Sequence, residues 1–123
     1  MTLDSRRKIV SIAEARDIAR ELHARGERVI AFVSHMEVLR AAHAVRLDEL
    51  GPGVLFVVLT DPPSPLVAMD ARAEVVAGLR RVDYVVAGAA AVEAIRPTLC
   101  IDDEEEDRER TRELINHVRS RGK

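Results

Sequence analysis

The chain has 123 residues, enough for one two- or three-layer domain and too few for two, so we expect residues 1–123 to form a single domain. Its 19 basic and 21 acidic residues give a net charge of -2, without the positive excess that nucleic-acid binding requires. No apolar run approaches the roughly 20 residues of a membrane-spanning helix, and the segment 1–8 is polar. We therefore predict a cytoplasmic protein without a nucleic-acid or membrane partner.

Apolar residues make up 47% of the chain but aromatic residues only 2%, so the core must consist of aliphatic side chains. Such a core suits a buried parallel sheet covered by helices. The only cysteine, Cys100, lies in an apolar run and has no partner for an internal disulfide. We expect it to be buried as a small hydrophobic residue.

The first helix is predicted over residues 12–25. Ser11 and Glu14 have the spacing of a capping box, in which each side chain bonds the backbone N–H of the other residue. Gly26 supplies the left-handed residue that ends a helix. Apolar residues at helical spacing form one stripe, which predicts that the helix lies on a face of the sheet.

Two continuous apolar runs, Val29–Val33 and Val54–Leu59, predict strands that are covered on both sides. A helix over 40–50 links them, so they should be parallel neighbours in a βαβ unit. The proline-rich segment Thr60–Pro65 cannot continue the second strand. A loop at the carboxyl end of a strand is where open α/β sheets bind ligands.

The second half of the chain continues the alternation of helices and strands. Asp70 is predicted to cap a helix that ends near Arg80, and Val82–Val86 forms the next strand. A short helix over 89–95 ends before Pro97, and 98–101 is predicted to be another strand.

The last predicted helix begins in a run of acidic residues. These either favour the positive end of the helix dipole or form a metal site, and we adopt the first interpretation. The run consists of Asp102, Asp103, Glu104, Glu105, Glu106 and Asp107. One side of the helix that follows carries Thr111, Leu114, Ile115 and Val118. The whole alternating pattern predicts an α/β fold, a Rossmann-like three-layer α/β/α sandwich with a parallel sheet of four or five strands.

The segment after the first apolar run is the main candidate for chemistry, because it carries two histidines and an arginine between a strand and a helix. His43 also lies on the apolar stripe of that helix, so contact with a ligand and a role in the core both remain open. His35, Glu37 and His43 match no standard spacing of metal ligands, and we predict no metal site. Glycine-rich phosphate loops do not occur.

The stretch from Arg28 to Leu47 resembles the first strand and signature loop of the cytidylyltransferase-like nucleotidyltransferases. It is most similar to the adenylyltransferase domain that activates heptose phosphate in lipopolysaccharide synthesis. In that family the strand is followed by a Gly-Cys-Phe-Asp segment and a His-x-Gly-His motif. Residues 34–37 lie where the first segment would, and residues 40–43 where the second would.

The resemblance covers most of the chain. Thr60-Asp61 resembles the Ser-Asp pair that ends the second strand of the family, and Arg96-Pro97 resembles its Arg-Pro step before the fourth strand. The segment 110–115 resembles the turn rich in serine and threonine that opens the closing helix. Lys8 to Ser11, with the helix after them, resemble the lead-in to the first strand.

The resemblance implies a site for ATP or CTP with Mg²⁺. In the family the two histidines stabilise charge on the α-phosphate during in-line attack, which assigns the catalytic positions to His43 and Arg40. The nucleotide-binding positions that it implies are Val33, Ser34, His35, Ala42, Asp61, Arg72 and Thr111. Arg72 can also be interpreted as a charge on a helix surface.

Several residues depart from the family pattern together. Arg40 replaces the first histidine, and Ala42 puts a methyl group where glycine lets the nucleotide approach the backbone. Arginines flank Thr111 in place of hydroxyl residues, and the lysine-bearing loop after the second strand is shortened. A guanidinium can still bind phosphate through two hydrogen bonds, so anion binding is easier to retain than catalysis.

We therefore expect a degenerate nucleotidyltransferase-like domain that binds a nucleotide or another small phosphorylated ligand with little or no transferase activity. One alternative is an active enzyme that moves AMP or CMP from ATP or CTP to a sugar phosphate, with release of pyrophosphate. The other is a non-catalytic protein-interaction domain. A homodimer is left open, because no stripe of the sequence identifies an interface.

Overall fold

A computed structural model of the protein describes residues 5–39 and 41–121, with side chains through Val118. Arg40, one of the two predicted catalytic residues, lies outside the described residues. Its predicted contact with the phosphate of a nucleotide therefore remains a prediction.

The centre of the fold is a five-stranded sheet in which all neighbouring strands are parallel. Its strands are β1 (Ile9–Val10), β2 (Val29–Ser34), β3 (Val54–Leu59), β4 (Tyr84–Ala87) and β5 (Leu99–Asp102), in the order β1-β4-β3-β2-β5. Strands and helices alternate along the chain, which confirms the Rossmann-like α/β fold. The added short strand β1 pairs with β4 at one edge.

In the described ranges, five α-helices connect or follow these strands. They are α1 (Ile12–Ala24), α2 (Ala41–Asp48), α3 (Met69–Ala77), α4 (Ala91–Ile95) and α5 (Glu104–Arg121), preceded by a 3-10 turn at Ser5–Lys8. Their side chains pack on both faces of the sheet. Leu47 of α2 and Val76 of α3 pack with Phe32 on one face, while Ala19 of α1 and Ile95 of α4 pack with side chains of the other. This arrangement gives the three layers predicted.

The start and end of α1 follow the prediction. The backbone N–H of Glu14 donates to Ser11 Oγ at 3.1 Å, and the backbone N–H of Ser11 donates to Glu14 Oε1 at 3.0 Å. Gly26 has φ 74° after the cap residue Arg25, and the N–H of Glu27 donates to the carbonyl of Leu22 at 3.0 Å. A residue with a Cβ would be strained at that φ, so the glycine ends the helix.

Other boundaries differ from the prediction. The cap residue of α3 is Ala68, without a side-chain hydrogen bond, and Asp70 lies inside the first turn. The prediction that Asp70 caps this helix was wrong, because the helix begins earlier, as the chain leaves the proline-rich loop. The helix also ends at Ala77, ahead of Arg80.

The prediction that Cys100 is buried was also wrong: its side chain is exposed. Alternate residues of β5 are exposed because this strand lies at the edge of the sheet and only one of its faces is covered. The partial desolvation of the thiol and the neighbouring Asp102 raise its pKa. The apolar run around Cys100 was typical of a fully covered strand, whereas the structure gives this strand one open face.

The side of α5 that was predicted to carry Thr111, Leu114, Ile115 and Val118 is only partly covered. Thr111 is buried and Ile115 is half-buried, but Leu114 is 38% exposed and Val118 61% exposed. The described ranges contain no helix that is both long and apolar enough to span a membrane. The acidic run does open α5, since the helix begins at Glu104.

Candidate functional site

The carboxyl ends of β2, β3 and β5 meet at one edge of the sheet, with Ser34 beside Leu59 and Val33 beside Asp102. The buried polar and charged side chains of the described residues belong to this edge or to the helices that border it. They are Ser34, His35, His43, Thr60, Arg72, Asp103, Asp107 and Thr111. Buried polar groups are costly unless they are paired, so their concentration at one edge identifies the candidate site.

A carboxylate of α5 occupies the turn that follows β2. Asp107 Oδ2 accepts a hydrogen bond from the backbone N–H of Met36 at 2.9 Å, and Asp107 Oδ1 lies 2.8 Å from His43 Nε2. Both side chains are 1% exposed. Met36 has φ 49°, a left-handed conformation that is uncommon for a residue with a side chain. The turn thus directs its N–H and the imidazole at the start of α2 toward the same anionic group.

Asp103 joins β5 to the neighbouring strand and to α2. Its backbone N–H donates to the carbonyl of Val33 at 2.7 Å, and its Oδ2 accepts a hydrogen bond from Ser34 Oγ at 3.2 Å. Its Oδ1 forms an ion pair with Arg46 of α2. The same guanidinium lies 5.7 Å from the centre of the Phe32 ring, so a cation–π contact adds to its position.

We expect Asp103 to make stability depend on pH in a specific direction. Burial raises the pKa of this carboxyl group, and the Arg46 guanidinium partly opposes the effect. A group with a raised folded-state pKa contributes stability that is full below its unfolded pKa and is lost as the pH rises through its folded pKa. The free energy of unfolding of the wild type should therefore increase relative to Asp103→Asn as the pH falls through that folded pKa.

Urea denaturation of both proteins at a series of pH values from neutral to acidic measures this difference. The comparison cancels the titration of the carboxyl groups that are distant from Asp103 and common to the two proteins. A difference that stays constant over the series would contradict the prediction.

Arg72 links the two loops that border the site. Its Nη1 donates to the carbonyl oxygens of His35 and Thr60, at 2.7 and 2.9 Å, and its Nε donates to the carbonyl of Val67 at 3.0 Å. Its Nη2 pairs with Asp61. The side chain is 1% exposed, so the alternative of a helix-surface charge was wrong. The guanidinium holds the ends of β2 and β3 together from α3.

A second chain of hydrogen bonds connects β2, β3 and the start of α5. His35 Nδ1 lies 3.0 Å from both the carbonyl oxygen and Oγ1 of Thr60, and Thr60 Oγ1 donates to Glu104 Oε2 at 2.7 Å. Because a carbonyl only accepts, His35 Nδ1 carries the proton of that bond. His35 Nε2 is buried and has no hydrogen-bond partner among the described residues.

The structure does not group His35, Glu37 and His43 as possible metal ligands, but it brings another set of such residues together. His43, Asp103 and Asp107 each present one ligand atom, and these atoms lie within 4.8 Å of one another. His43 and Asp107 are hydrogen-bonded to each other and Asp103 is paired with Arg46, so a cation would have to displace those partners. The Glu37 carboxylate instead accepts hydrogen bonds from the backbone N–H groups of Leu66 and Val67.

A groove of about 360 Å³ separates the proline-rich loop from α5. Pro62 and Leu66 line the loop side, and Arg108, Thr111 and Arg112 line the helix side. Thr111 Oγ1 is buried and has no hydrogen-bond partner in the part of the chain that the structure describes. The groove is therefore lined by two exposed arginines, while the oxygen of the Thr111 hydroxyl group beside it is buried.

Most of the predicted site residues lie at this edge, although in different environments. His43, Ser34, His35 and Arg72 are buried and bonded to protein groups, whereas Asp61 is more than half exposed. Val33 is a buried strand residue and Ala42 lies on the exposed side of α2.

Sequence reasoning missed the roles of Asp103 and Asp107, because the acidic run was interpreted as a helix start alone. Asp103, Asp107 and Thr111 are spaced by four residues, so they share one side of a helix, and all three are buried. That spacing was the available signal. Comparison of the chain with known protein families and with curated proteins finds no match.

Proposed function

We propose that the chain is a nucleotidyltransferase-like domain without transferase activity, which binds a small phosphorylated ligand in the groove between the proline-rich loop and α5. The observation that carries this proposal is the position of Asp107. Its carboxylate already accepts the Met36 N–H and contacts the imidazole of His43. The resemblance assigns His43 to the phosphates of a nucleotide, and Met36 belongs to the segment 34–37 that takes the place of the family's Gly-Cys-Phe-Asp segment.

Transfer of a nucleotidyl group needs hydrogen-bond donors that are aimed at the phosphate as charge develops on it. In this structure the Asp107 carboxylate already contacts the Met36 N–H and the His43 imidazole. It would also repel the phosphate. Two like unit charges about 4 Å apart repel by roughly 4 kcal/mol at the effective dielectric constant of a protein surface. A phosphate would have to expel Asp107 from the turn, so the donors are unavailable for catalysis.

The groove beside α5 supports the binding half of the proposal. Arg108 and Arg112 are exposed on the side of α5 that lines it. Guanidinium groups bind phosphate oxygens through paired hydrogen bonds. The groove volume of about 360 Å³ is within the range of small-molecule sites.

An interaction with another protein is the second candidate function. Leu66 is 65% exposed and Val118 is 61% exposed. Exposed apolar side chains on a small protein favour an interface when they are contiguous. This candidate predicts that phosphorylated ligands do not stabilise the protein.

A thermal-shift panel with Mg²⁺ and ATP, CTP, AMP, CMP or sugar phosphates tests the proposal. We expect at least one ligand to stabilise the wild type, by about 2.7 kcal/mol at a hundred times its dissociation constant. The double variant Arg108→Gln/Arg112→Gln should lose most of that shift. The matched double variant Arg7→Gln/Arg80→Gln, which removes two exposed charges away from the groove, should keep it.

An assay for pyrophosphate release with ATP or CTP and a sugar phosphate tests the absence of transfer. No release above the background reaction is expected. Release that depends on the protein would overturn the catalytic half of the proposal. A panel without any shift would overturn the binding half and favour the protein-interaction candidate.

A further inference from the structure

A second cavity lies between α1 and α4, and it shares no lining residue with the groove beside α5. Its volume is about 510 Å³. Arg16, Arg20 and His23 line it from α1, and Glu93 and Arg96 line it from the end of α4. All five side chains are exposed, so solutes can reach the cavity.

The charges around this cavity do not balance. Three guanidinium groups line it against the single carboxylate of Glu93, although the whole chain carries more acidic than basic residues. The guanidinium groups of Arg20 and Arg96 form no ion pair or hydrogen bond with any described residue, and that of Arg16 has only a 3.7 Å contact with its neighbour Asp17. Like charges at i and i+4 on a helix, such as Arg16 and Arg20, destabilise it slightly. An anionic ligand would compensate these charges.

The backbone around the cavity is held in a defined arrangement. His23 Nε2 lies 3.0 Å from the carbonyl oxygen of Ile95, which accepts its hydrogen, so the ring joins the end of α1 to the end of α4. Arg96 ends α4 in the left-handed conformation, with φ 50°. A residue with a side chain is uncommon there and is often retained for a functional reason. The arginines thus lie on α1 and at the end of α4, two helices whose carboxyl ends are tied to each other.

We propose that this cavity binds a small molecule that carries at least two phosphate groups. A guanidinium group matches a phosphate through two parallel hydrogen bonds, and three of them can hold more than one phosphate. The cavity volume is sufficient for a diphosphate with an attached organic group. The proposal is independent of the proposed function, because it uses a different face of the molecule and different residues.

Isothermal titration calorimetry with inorganic pyrophosphate, at low and physiological ionic strength, tests this site on the full chain. We expect saturable binding that the double variant Arg20→Gln/Arg96→Gln weakens by at least about tenfold, the loss expected from one charge-assisted hydrogen bond. The matched variant Arg7→Gln/Arg80→Gln should bind as the wild type does. Amide chemical shifts of residues 16–23 and 93–96 should change on titration.

Several outcomes would overturn the proposal. These are the absence of saturable binding, equal weakening by both double variants, and chemical shifts confined to α5. Binding of a polyglutamate peptide without binding of pyrophosphate would assign the cavity to an acidic protein segment instead. The variant Arg108→Gln/Arg112→Gln should leave pyrophosphate binding at this cavity unchanged, so failure of one site does not imply failure of the other.

Discussion

The Asp107→Asn variant is expected to be less stable than the wild type and to gain stability when inorganic phosphate is added. The amide keeps the shape of the carboxylate but offers only one acceptor oxygen to the Met36 N–H and His43. Leaving one of two buried donors without its acceptor costs about 1–3 kcal/mol, and we expect a loss in that range. With the internal anion removed, the turn after β2 can accept a phosphate.

Urea denaturation with and without inorganic phosphate measures both effects. Asp107→Ala serves as a second variant, with a larger loss of stability and a larger response to phosphate if it folds. Glu109→Gln is the matched control, because Glu109 is exposed on the same helix. An equal response to phosphate in wild type and Asp107→Asn would contradict the inference that Asp107 fills an anion position.

The Arg72→Met variant is expected to lose about 3–5 kcal/mol of unfolding free energy, because each buried acceptor that is left without a donor costs about 1–3 kcal/mol. Methionine fills part of the volume but removes the Arg72 donor from the carbonyl oxygens of His35 and Val67 and one of the two donors from that of Thr60. Arg72→Lys should recover only a small part of the loss, because a single ammonium group cannot reproduce the geometry of the guanidinium.

Denaturant midpoints of these variants are compared with those of Arg80→Met, which changes an exposed arginine of the same region. The control should stay within about 0.5 kcal/mol of the wild type. A loss below about 1 kcal/mol for Arg72→Met would show that the loops after β2 and β3 do not depend on this side chain. If Arg72→Met is stable but loses ligand-induced stabilisation, the nucleotide-binding role implied by the resemblance would be favoured instead.

The fold was predictable because its signals are local. The capping box of Ser11 and Glu14, the glycine at position 26 and the aliphatic runs of β2 and β3 each lie within a few residues, and each has the structure that its pattern predicted. The position of β5 at the edge of the sheet was not predictable from such local signals. Whether Cys100 is covered depends on the strand order, and an apolar run does not carry that information.

The candidate site was predictable only in part. Position at the end of a strand identified Ser34 and His35, and the helical stripe included His43. The group that His43 contacts could not be inferred, since Asp107 is 64 residues away in sequence and belongs to a run of similar acidic residues. The four-residue spacing places Asp107 on one side of the helix with Asp103 and Thr111, but it does not identify the group that this side contacts.

The amino-acid sequence by itself determined the alternation of strands and helices and the parallel, aliphatic sheet, because periodicity and turn chemistry act over short stretches of chain. Only the tertiary structure decided that the turn after β2 bonds a carboxylate of α5 and that Arg72 joins two loops. Those contacts depend on how distant elements dock. The physical reason is that a buried polar group must find its partner in space, and the strand order determines which partner is within reach.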